Sequence, residues 1–84
     1  MTSGNKNELH SLKEILKTAI AREDASYRFY MEALENAVTT AEKKLLHELA
    51  LEELEHKQKL ERQYEEILAQ LEIDRAITGD DFNM

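Results

Sequence analysis

The sequence predicts an all-α fold, an antiparallel helical hairpin that dimerises into a four-helix bundle. Three observations predict it. Among 84 residues there is no proline, and the two glycines, Gly4 and Gly79, stand near the ends, so nothing interrupts helices between roughly residues 8 and 77. Apolar residues recur in steps of three and four along two stretches, and the alternation of a strand is absent. With 42% hydrophobic residues, so short a chain clothes one face of two helices without enclosing a core, which makes self-association the expectation on area grounds.

Residues 1–7 read as a short flexible arm. The first helix should begin between Asn7 and Ser11: Ser11-Leu12-Lys13-Glu14 has the capping-box pattern, and Asn7 is an equal candidate for the cap. Its apolar positions run Leu9, Leu12, Leu16, Ala19, Ile20, then Tyr27, Tyr30, Leu34, Ala37 and Val38, and it should fade near Asn36 to Val38. Thr39-Thr40-Ala41-Glu42 is a restart signal, because Thr39 can accept from the Glu42 backbone N–H while the Glu42 carboxylate answers. The second helix then carries Leu45, Leu46, Leu49, Leu60, Tyr64, Ile67, Leu68 and Leu71. Asp74 to Thr78 should fray, Gly79 should stop the helix, and residues 79–84 should form a tail, leaving 8–78 as the hairpin. A single helix running through Thr39-Thr40 is the alternative.

Composition removes several classes of function. A net charge of −7 and a pI near 4.9 oppose nucleic-acid binding, which needs a basic surface. The absence of cysteine removes disulfides, thiol chemistry and Cys-ligated metal clusters within the chain. The polar start Met1-Thr2-Ser3-Gly4-Asn5-Lys6-Asn7 lacks the apolar segment of a signal peptide, and no apolar run approaches spanning length. No membrane partner and a cytoplasmic location are therefore expected.

Three residues break the apolar rhythm. Glu23 falls where the first helix calls for a core side chain, and Glu53 and His56 fill the gap between Leu49 and Leu60 on the second. Glu53-Leu54-Glu55-His56 is a Glu-x-x-His step, whose outer residues share one helix face. The step alone says little, because glutamate fills 14 of 84 positions. Its position says more: unpaired buried charge is costly, so three polar groups in one apolar layer call for a neutralising partner. The midpoints of Glu23–Glu53 and Glu23–His56 fall at residues 38 and 39.5, where the capping signal independently puts the turn.

A metal pair would supply that partner. A Glu from one helix and a Glu-x-x-His from another are half the ligand set of di-metal carboxylate bundles. Two chains bring four carboxylates and two neutral imidazoles, which balance two divalent ions. Mixed oxygen and nitrogen donors suit iron, with manganese or zinc as substitutes, and two iron ions per dimer is the expectation. The alternatives are a metal-binding dimer without catalysis, and a helical interaction module in which Glu23, Glu53 and His56 form a buried polar layer that fixes register. His10 and His47 have no Glu three residues earlier and read as surface histidines. Glu52 and Glu55 turn toward the flanks of the seam. Tyr27, one turn after Glu23, is either core or a hydrogen-bond donor to a ligand carboxylate.

The stretch Ala21-Arg22-Glu23-Asp24-Ala25-Ser26-Tyr27-Arg28-Phe29-Tyr30, with Leu51-Glu52-Glu53-Leu54-Glu55-His56-Lys57, resembles the ferritin-like half-repeat of rubrerythrins. It is also similar to the encapsulated ferritins, two-helix chains that pair to build a di-iron ferroxidase centre between subunits. The resemblance covers roughly residues 9–75 and rests on the interval from Glu23 to Glu53 and His56. It implies a ferritin-like four-helix bundle with Glu23, Glu53 and His56 as iron ligands and catalytic residues, and oxidation of Fe(II) by dioxygen or peroxide in iron handling or oxidative-stress defence. The partners it implies are a second copy of the chain, an encapsulin shell and an external electron donor, and the location extends to a protein nanocompartment. The chain departs from rubrerythrins in having no Cys-rich rubredoxin segment, and the acidic stretch after Gly79 is unlike a shell-targeting peptide.

Overall fold

In the computed structural model, residues 6–82 are described, with side chains described for 7–75. They form two helices, α1 (Lys6–Glu35, 30 residues) and α2 (Thr40–Phe82, 43 residues), packed side by side as a hairpin, with no strand among the described residues.

The turn is built by the residues whose chemistry predicts it. The first helix closes with Asn36 N–H donating to Ala33 O at 3.1 Å and Ala37 N–H to Leu34 O at 3.2 Å, and the Asn36 side chain donates to Glu32 O at 3.2 Å. Thr39 then caps α2: the Glu42 N–H donates to Thr39 Oγ1 at 3.0 Å, and Glu42 Oε1 accepts from the backbone of Thr39 at 2.9 Å and of Val38 at 3.2 Å. Backbone donors and acceptors that the two helix ends leave open are thereby satisfied without a left-handed residue anywhere among those described. A single continuous helix is excluded.

Two boundaries differ from expectation. The first helix begins at Lys6, ahead of both expected caps, so Ser11 lies inside it, while residues 1–5 of the expected arm lie outside the described residues. The second helix runs through Asp74–Thr78 and past Gly79 to Phe82, where fraying and a stop were expected. One glycine costs a helix only about 1 kcal/mol relative to alanine, and with no proline nearby the backbone continues. Residues 83–84 of the expected tail lie outside the described residues.

Only Leu9 and Ala50 among the described hydrophobic residues are buried, Ala50 completely, where its small side chain lets the helices approach. Leu12, Ile15, Phe29, Leu45, Leu51 and Ile73 all stay exposed. The hairpin is one layer, 67 × 25 × 13 Å, with a radius of gyration of 18.9 Å, against about 12 Å for a compact chain of this length. Two helices can bury only the stripe along which they touch. No helix among the described residues is long and apolar enough to cross a membrane.

Candidate metal centre

Glu23, Glu53 and His56 meet near the middle of the hairpin. Glu23 sits a little past the midpoint of α1, and Glu53 and His56 come from successive turns of α2. His56 Nδ1 lies 3.1 Å from Glu23 Oε2 and 3.4 Å from Glu53 Oε1, so the same ring nitrogen faces both carboxylates. In the tautomer protonated there, it donates to Glu23. One ligand atom from each of the three lies within 4.8 Å of the others, and no other trio of this kind occurs among the described residues.

The donor set fits a metal ion. Two ligands held at about 2.1 Å from one ion stand between about 3 and 4.2 Å apart, so the trio needs to close by about 1–2 Å at most. Two carboxylates and a neutral imidazole carry a charge of −2, matching one divalent cation. The oxygen–nitrogen mixture is the kind that iron and manganese accept. The surroundings are asymmetric: the Glu23 and Glu53 side chains are 24% and 20% exposed, the His56 side chain 62%. The trio therefore opens on one side of the hairpin. On that side Glu23 and Leu60 line two shallow clefts, one continued by Ile15 and Ala19, the other by His56 and Gln63.

The remaining candidates fall outside the trio. His10 and His47 are exposed, as are Glu52 and Glu55. Tyr27 is half-buried, and among the described residues no hydrogen bond joins it to Glu23.

Sequence patterning passes over one pair beside the trio. Asp24 accepts a hydrogen bond from Lys57 Nζ at 2.8 Å, both side chains being 25% exposed, and its second oxygen pairs with Arg28 at 2.9 Å. The Lys57 hydrogen bond, then the Arg28 charge, hold the Asp24 carboxyl below its ordinary value, and the same bond raises the Lys57 ammonium. The one signal for it was an interval of 33 residues, equal to that between Glu23 and His56.

A helical hairpin that brings two Glu and one His together has the arrangement found in helical carboxylate proteins. Comparison with protein families is specific: the rubrerythrin family model matches residues 6–80. The chain belongs to the rubrerythrin family, a ferritin-like family of di-iron carboxylate proteins. No curated protein and no solved structure matches it.

Proposed function

We propose that two copies of the chain pair through the open face of the hairpin, complete a di-iron site at the interface, and oxidise Fe(II) to Fe(III) with dioxygen or peroxide. The observation that supports this most is a half-complete ligand set on an unfilled apolar face. A di-iron centre needs four carboxylates and two imidazoles, and the described residues bring together two and one. A second copy, related by a twofold axis, doubles the trio while covering Leu12, Ile15 and Leu45, which the single hairpin leaves exposed.

In this arrangement the Glu23 and Glu53 carboxylates would hold and neutralise the cations, and His56 would add a ring nitrogen. Iron supplies the redox chemistry when bound. Two Fe(II) ions yield two electrons, which with two protons reduce one dioxygen to hydrogen peroxide, or one peroxide to two waters. These 84 residues include no cysteine to carry electrons back.

Anaerobic loading with Fe(II) followed by air should give a di-ferric absorption band in the wild type and none in Glu53→Ala. An unchanged band in that variant removes the ligand assignment. Manganese and zinc should compete for the same donors.

A second reading has an observation of its own. The 3.1 Å contact between His56 and Glu23 supports it, since it pairs part of the polar layer without an ion, as in a register-fixing layer. A dimer whose melting temperature ignores both iron and a chelator would favour that interaction module. Iron uptake without oxygen consumption would favour a non-catalytic metal-binding dimer.

A further inference from the structure

We propose that the Asp24–Lys57 pair is a positioning device for the metal-binding trio, setting both the sliding register and the rotation of α1 against α2 where Glu23 meets His56. This rests on the metal-centre reading above. Asp24 follows Glu23, and Lys57 follows His56, so the two cross-helix contacts are neighbours in sequence on both strands of the hairpin. One residue along a helix is a rotation of about 100°, which places the contacts on opposite flanks of the seam. A contact on one flank alone would act as a hinge about which either helix could roll. Contacts on both flanks remove that freedom.

The apolar seam cannot do this by itself. Ridges of Leu, Ile and Tyr fit one another at more than one register, whereas a polar pair in a helical seam selects one. A slip of one helical turn moves a side chain by about 5.4 Å, more than the 4.8 Å within which the three ligand atoms are gathered. Asp24 is well suited to the task because both of its oxygens are engaged, one by Lys57 across the seam and the other by Arg28 along α1. The carboxylate cannot turn toward the metal-binding side without breaking one of these pairs. Since ion pairs that water still reaches add little to stability, the effect of this one is on geometry.

The test is titration of the full chain with Co(II), reading the dissociation constant and the visible absorption of the bound ion. Asp24→Asn and Lys57→Met should each weaken Co(II) binding roughly tenfold and shift its absorption bands, with far-UV helicity unchanged. Lys57→Arg, which keeps a cation across the seam, should stay within about twofold of wild type and keep its bands. Arg28→Ala, which removes only the pair along α1, should also stay within about twofold. Wild-type affinity and bands in both Asp24→Asn and Lys57→Met overturn the positioning role while leaving the metal centre standing. A wild-type chain that takes up no Co(II) overturns the metal centre and the positioning role with it.

Discussion

Glu23 and Glu53 bring two negative charges into one half-buried layer, with a single imidazole between them. Without a metal that arrangement works against stability, because like charges repel and each loses part of its hydration. Glu53→Leu should therefore stabilise the metal-free protein by about 1 kcal/mol, a rise of about 4–8 °C in Tm for a domain of this size, while abolishing iron binding. Calorimetry with and without chelator checks both halves, and a lower Tm in the metal-free variant would show that the layer is structural. The clustering of Glu23, Glu53 and His56 was legible in the sequence because charge stood where the helical rhythm called for leucine. Asp24 and Lys57 were not, since each taken alone looks like a solvated surface charge. Their partnership exists only once the helices are in register.

At the scale of the element, the turn is the best-determined part of the molecule. The Thr39–Glu42 capping box satisfies backbone groups at the start of α2 and sets where the chain reverses, which in turn sets which α1 residues face Glu53 and His56. Thr39→Ala should cost about 1 kcal/mol, read from thermal or urea unfolding. The Glu42 carboxyl lies below its ordinary value of 4.5, first because the Thr39 backbone N–H binds its charged form, then because the Val38 N–H and the Thr39 hydroxyl do. A group whose folded value is depressed contributes stability above its unfolded value and loses it as pH falls through the folded one. The stability difference between wild type and Glu42→Gln should thus be constant near neutrality, decline below about pH 4.5 and vanish in stronger acid. A difference independent of pH would mean that the amide caps as well as the carboxylate. At the other end, Gly79 resembled a stop in isolation, yet the penalty of one glycine is too small to end a long helix when nothing else competes for the backbone.

The whole molecule is an open layer. With a radius of gyration of 18.9 Å the hairpin has almost no interior of its own, and much of its apolar surface stays exposed. Ile15 is 59% exposed in the single hairpin and lines a cleft that it shares with Glu23. Ile15→Glu should cost the isolated hairpin little, yet shift the mass in solution from dimer toward the 9.8 kDa monomer and weaken iron binding in parallel. Light scattering during an iron titration measures both. A variant that stays dimeric with full iron uptake would place the interface on the opposite face.

Helical periodicity, the absence of proline and the capping chemistry near residue 39 were enough to specify a two-helix hairpin, because each acts over a few residues of the backbone. Pattern alone also marked Glu23, Glu53 and His56, since an apolar seam makes any charge within it conspicuous. Which ring nitrogen of His56 faces the carboxylates, which side of the hairpin the trio opens on, and the Asp24–Lys57 contact beside it were decided only by tertiary structure. Those depend on how two helices slide and roll against each other, and that is settled by side chains meeting across 33 residues of sequence.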